Sequence, residues 1–161
     1  AHVIKIEGGS ELCDLVTTLA QAGTPTCVHL GLTPQSVNVF GGYKIQGRGD
    51  AAADKLLADA KAVVAAGAAL LVLECVPAEL AKAVTQAVAV PVIGIGAGAD
   101  TDGQVLVMHD MLGMVHGRVP RFVHDFLTDE RNSERSIEGA FALYQQAVRD
   151  GSFPTEQHQF S

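Results

Sequence analysis

ALLVLECVP, at residues 69–77, is an apolar run of strand length that carries one carboxylate, Glu74, near its downstream end and stops at Pro77. Three further runs share this build. His2–Glu7 reads HVIKIE and stops at Gly8-Gly9; Thr26–Leu32 reads TCVHLGL and stops at Thr33-Pro34; Val90–Gly98 reads VPVIGIGAG. Near-continuous apolar runs of this kind read as strands buried on both faces of a parallel sheet. Between them lie helical patterns. Ser10–Ala22 has Ser10 as N-cap and Leu12, Leu15, Val16 and Leu19 as its apolar stripe, and Gly23 ends it. Asp50–Ala66 is rich in alanine and stops at Gly67; Pro77–Val88 begins with proline in its first turn; Asp102–Met111 reads as a short helix; Glu134–Asp150 is the last. Strand and helix alternate, which predicts an α/β fold with a parallel sheet. An open doubly wound sheet and a (β/α)8 TIM barrel both satisfy the pattern. The chain starts abruptly, with Ala1 followed at once by the first strand. That favours a barrel, of which 161 residues would be the later part, since a whole one needs about 250.

Composition narrows the function. At 48% hydrophobic the chain is not disordered, and a net charge of −7 argues against a nucleic-acid partner. No stretch approaches the ~20 apolar residues of a membrane span; Ala62–Val76 comes nearest, and Gly67 and Glu74 interrupt it. Three cysteines without C-x-x-C spacing argue against a disulfide scaffold or a zinc site and for a reducing, cytoplasmic setting. His2, His116, His124 and His158 show no metal-ligand spacing. Gly94-Ile95-Gly96-Ala97-Gly98 lacks the third glycine a dinucleotide fingerprint would place at Thr101.

The chemistry is expected where ionisable groups interrupt the strands. Burying such groups is costly unless they are paired or bind an ion. Lys5 and Glu7 are two apart, so one strand face carries both. They read either as an internal ion pair or a frayed edge strand, or as a lysine for an anionic substrate beside a carboxylate for a divalent cation. Glu74 is set among apolar neighbours, where a carboxylate is poorly hydrated, a setting that suits a general base; a paired structural glutamate is the alternative. His29 reads as a hydrogen-bonded core histidine or as a site residue.

The segment CVHLGLTPQSVNVFGGYKIQGRGD at 27–50 closely resembles the ketopantoate hydroxymethyltransferase family. So do VIKIEGG at 3–9, LLVLECVP at 70–77, VPVIGIGAG at 90–98, DGQVLVMHDMLG at 102–113 and RVPRFV at 118–123. The resemblance covers nearly the whole chain. It implies a (β/α)8 barrel of the phosphoenolpyruvate/pyruvate superfamily, with residues 1–161 as the C-terminal part of one domain, roughly strands 4–8. It implies a transferase that moves a hydroxymethyl group from 5,10-methylenetetrahydrofolate to 3-methyl-2-oxobutanoate, giving ketopantoate for pantothenate and coenzyme A. Glu74 matches the family's proton acceptor, Lys5 and His29 its substrate-binding residues, and Glu7 a carboxylate of its metal site, which holds magnesium or another divalent cation. The partners implied are the 2-oxo acid, the folate, further copies in a homo-oligomer, often a decamer, and the missing N-terminal strands. The family's principal metal-binding aspartates lie upstream, one in a Gly-Asp-Ser segment not found here. Glycines in the Gly41–Gly49 loop would let it close over the site. A related 2-oxo acid lyase or transferase, or an inactive structural fragment, are the competing readings.

Overall fold

The computed structural model describes residues 1–115 and 117–161; His116 lies outside the described residues. Among the described residues five parallel strands form one sheet: β1 (Ile4–Glu7), β2 (Thr26–Gly31), β3 (Leu70–Glu74), β4 (Val92–Ile95) and β5 (Gly103–Gln104). Their spatial order is their chain order, β1-β2-β3-β4-β5, with no reversal among the described strands. α1 (Cys13–Gln21), α3 (Asp50–Ala65) and α4 (Ala78–Ala87) connect them, and α2 (Val37–Phe40) lies in the loop after β2.

Side-chain alternation divides the sheet. Ile6, Val28, Leu30, Leu71, Leu73 and Val92 face the helices, where Val16 of α1, Leu56, Ala60 and Val63 of α3 and Leu80, Ala81 and Val84 of α4 close the main core. By the same period of two, Lys5, Glu7, His29, Val72, Glu74 and Ile95 occupy the opposite face. Val72 and Ile95 there join Leu32, Cys75 and Phe122 in a second, smaller apolar cluster. The strand assignments from sequence hold for four runs, each trimmed at its ends.

Three elements differ from the sequence reading. The first helix starts at Cys13 rather than Ser10, because Ser10–Leu12 is a 3-10 turn. Ser10 does not cap; its own N–H is taken by the Asp59 carboxylate of α3, 3.3 Å away. Asp102–Met111 is not one helix but the short strand β5 followed by α5 (Met108–Met111). Gly103 gives β5 the close approach it needs, since a Cβ there would stand 3.0 Å from Ile93 Cδ1. The last helix, α6 (Ile137–Arg149), begins after Ser136, whose Oγ accepts the Gly139 N–H at 3.0 Å. α6 packs Ala140 and Ala147 against Met111, Leu112, Phe126 and Phe153 in a third cluster.

This C-terminal segment carries an acid-sensitive clasp. Asp129 receives Arg131 Nη2 at 2.8 Å and Nε at 3.0 Å, the Arg131 N–H at 2.9 Å, and stands 2.7 Å from His124 Nε2. The Arg131 guanidinium holds its carboxyl well below the usual carboxylate range, against the opposing effect of burial, with the Arg131 N–H and His124 adding to the depression. A carboxyl so depressed stabilises the fold above its unfolded pKa of about 4 and loses that contribution as pH falls through the folded value. Asp129→Asn is therefore expected to lower the melting temperature at pH 7, with the gap to wild type narrowing below about pH 4. A gap independent of pH would show that the carboxylate charge is not what holds the clasp.

Candidate active site

The four candidate residues meet at the downstream ends of three adjacent strands. Register places Glu7 opposite His29 and Gly31 opposite Glu74, all on the face turned away from the main core. Lys5 Nζ lies 3.1 Å from Glu7 Oε1. His29 lies between the two carboxylates, its Nδ1 3.6 Å from Glu7 Oε1 and its Nε2 3.2 Å from Glu74 Oε2. The ion-pair reading of Lys5 and Glu7 is the one this geometry shows. The lysine side chain is half exposed and free to reach an anion, while the glutamate is buried.

Two details bear on what the cluster can do. First, the buried His29 nitrogens are close to the carboxylates but not aligned as hydrogen bonds, and neither finds a partner among the described residues. Buried polar atoms without partners are rare in native proteins and call for a ligand or water. Second, a cavity of about 390 Å³ reaches two of the four, Glu7 and His29, and is lined also by Phe40, Gln46, Lys55 and Asp59; Lys5 and Glu74 stand outside its lining. A hollow of about 520 Å³ on the C-terminal segment, lined by His124, Arg131 and His158, contains none of the four.

The loop after β2 completes the frame. Thr33-Pro34 opens a 3-10 turn, Pro34–Ser36, that aims the Gln35 N–H at Glu7 Oε2, 3.0 Å away. Burial by itself would raise the Glu7 pKa, but this N–H and the Lys5 ammonium outweigh it, so the carboxyl is held below its ordinary value and stays ionised at neutral pH. The Gln35 contact has no signature in residue type, because it is made by backbone.

Glu74 is aimed by its backbone. The residue after it, Cys75, has φ +49°, a conformation that is uncommon for a side chain other than glycine. Three hydrogen bonds enforce it: Leu32 N–H to Glu74 O at 2.8 Å, Cys75 N–H to Ile95 O at 2.9 Å and Gln46 N–H to Cys75 O at 2.9 Å. Strained backbone persists where the surroundings over-determine it, and such places cluster at active sites. Burial, with the Glu74 charge adding to it, pushes the Cys75 thiol up to about 12, so it is an inert packing group rather than a nucleophile.

As a cation site the arrangement is partial. Glu7 offers hard carboxylate oxygens, each with one hydrogen-bond donor and lone-pair capacity to spare. Among the described residues no three His, Cys, Asp or Glu side chains converge as ligands. Glu7 fits one position of a magnesium shell, which commonly keeps waters and takes one or two carboxylates, and not a complete protein cage.

Residues 1–156 match the ketopantoate hydroxymethyltransferase family. The chain belongs to that family. A 3-methyl-2-oxobutanoate hydroxymethyltransferase of Psychrobacter cryohalolentis is 89% identical over 161 residues, all of this chain and 60% of that protein. Enzymes of the same name from Yersinia enterocolitica and Escherichia coli are 58% and 56% identical over 160 residues, 99% of this chain and 59% of each. The chain thus spans about 60% of the length of the curated relatives it matches. Among the described residues no helix is long and apolar enough to cross a membrane.

Proposed function

We propose that this chain is the C-terminal part of a (β/α)8 barrel, roughly its strands 4–8, in an enzyme that transfers a hydroxymethyl group to 3-methyl-2-oxobutanoate. The sequential strand order supports the barrel, because doubly wound sheets reverse their order at a switch point. The observation that carries the function is the meeting of Lys5, Glu7, His29 and Glu74 at the downstream ends of three adjacent strands in a member of this family.

In this reading Lys5 neutralises the substrate carboxylate or its developing oxyanion, and His29 offers a ring N–H to a substrate oxygen. Glu74 takes the proton from C3 of the 2-oxo acid. Water adds to the methylene carbon of 5,10-methylenetetrahydrofolate and both of its carbon–nitrogen bonds break, the two nitrogens taking the water's protons, so that the carbon is released at the formaldehyde level; the carbanionic C3 bonds to it, and Glu74 returns its proton to the new hydroxyl oxygen. The product is 2-dehydropantoate, the precursor of pantothenate and coenzyme A. Glu7 would hold magnesium or another divalent cation directly or through water, with the remaining ligands from residues upstream of this segment. When bound, that cation supplies positive charge beside the keto oxygen and makes C3 more acidic. A cytoplasmic homo-oligomer, decameric by likeness to the family, completes the proposal, as does closure of the Gly41–Gly49 loop over the bound substrates.

The direct test is cation-dependent exchange of the C3 proton of 3-methyl-2-oxobutanoate for deuterium, followed by NMR. The full-length protein is expected to catalyse it and the 161-residue segment to show none, because the segment lacks the upstream ligands. Exchange by the segment alone, at a rate near that of the full-length protein, would refute the assignment of essential groups to the missing strands.

A further inference from the structure

α3 carries three aspartates, and they are treated differently. Asp50 and Asp54 are exposed, whereas Asp59 is buried on the stripe that includes Leu56, Ala60 and Val63. A carboxylate there is costly unless it is paired and hydrogen-bonded. Lys55, one turn earlier, is in contact with Oδ2, and Oδ1 accepts the Ser10 N–H at 3.3 Å. Burial by itself would raise the Asp59 pKa, but the bonds from Lys55 and Ser10 outweigh it, so the carboxyl stays ionised below its ordinary value.

The contact with Ser10 falls on the turn that leaves β1. Glu7 is the last residue of that strand, and Gly8, Gly9 and Ser10 follow. The Gly8 N–H donates to His29 O at 3.1 Å, tying the start of the turn to β2. Gly9 lies directly under the aspartate, where a Cβ would come 2.6 Å from Asp59 Oδ2. The turn is therefore pinned from both sides, by β2 at Gly8 and by α3 at Ser10. The adjoining cavity reaches from Glu7 and His29 to Lys55 and Asp59.

We infer that Asp59 is a positioning residue, which by receiving the Ser10 N–H locks the Gly8–Gly9–Ser10 turn and so fixes where the Glu7 carboxylate stands. This rests on the reading of Glu7 as a cation ligand. Displacing a ligand-bearing strand end by a fraction of an ångström is enough to weaken a site whose geometry is demanding.

The test uses the full-length protein with Mn2+ alone, binding being followed by electron paramagnetic resonance, beside thermal melting and the KM for 3-methyl-2-oxobutanoate. Asp59→Ala is expected to weaken Mn2+ binding about tenfold, the size typical of losing a supporting contact to a metal ligand. Asp59→Asn keeps an oxygen for the Ser10 N–H and is expected to recover most of the binding even if its melting temperature stays low. Gly9→Ala, which pushes the turn off the aspartate, is expected to weaken binding as well and serves if the alanine variant does not fold. Wild-type Mn2+ affinity in Asp59→Ala or Gly9→Ala, with only the melting temperature lowered, would overturn the inference. Glu7→Gln separates the two layers. Unchanged Mn2+ binding in Glu7→Gln refutes the cation reading of Glu7 and this inference with it. Loss there, with none in the Asp59 variants, refutes this inference alone.

Discussion

Glu74→Gln in the full-length enzyme is expected to slow exchange of the C3 proton by about 10³-fold, within the 10²–10⁴ range that a positioned general base contributes. The amide has the same shape but no basic oxygen. Its side chain is 15% exposed and packs at the end of β3, so an isosteric change leaves the surrounding volume filled. The three hydrogen bonds that hold the backbone around Glu74 and Cys75 do not involve the carboxylate and remain. Substrate contacts assigned to Lys5 and His29 are untouched, so KM should move far less than kcat. That split separates lost chemistry from lost binding. Exchange within about threefold of wild type would exclude Glu74 as the base. His29, 3.2 Å away with an unpartnered ring nitrogen, would become the next candidate.

Much of this site was legible because its residues break a pattern. Lys5, Glu7, His29 and Glu74 are polar groups in runs that otherwise demand apolar side chains, and strand periodicity alone puts Lys5 and Glu7 on one face. That they share this face with His29 and Glu74 depended on register between strands far apart in sequence, which only the fold supplies. Asp59 was legible in principle, since it falls on the buried stripe of α3 with Leu56 and Val63, yet an alanine-rich helix makes the stripe faint. Gln35, by contrast, acts through its N–H, and a backbone donor leaves no mark on residue type. The errors in the fold have the same origin. Ser10 has the residue type of a local cap, whereas a side chain 49 positions away takes its N–H. β5, two residues long, is too short to show a period.

Gly31→Ala is expected to be the most damaging small substitution in the segment, costing on the order of 3 kcal/mol and most of the activity together. Gly31 closes β2 with φ +88°, where a Cβ is strained whatever space surrounds it. Here there is no space either: the added atom would stand 2.3 Å from Glu74 O and 2.8 Å from Val76 Cγ1. The obstacle is backbone, so it cannot rotate away. Relief requires β2 and β3 to part at the rung where Gly31 faces Glu74, and the Leu32 N–H to Glu74 O bond, 2.8 Å long, would go with it. That bond is one of the three that hold Glu74 and the strained Cys75 in place, so stability and base orientation fail through one contact. The expected signature is a melting temperature several degrees lower together with a fall in kcat that persists at temperatures where the variant is fully folded. A variant that loses stability but keeps wild-type kcat when folded would mean that the close approach of Gly31 serves packing alone. Glu74 would then be oriented through Cys75, by its bonds to Ile95 of β4 and to Gln46.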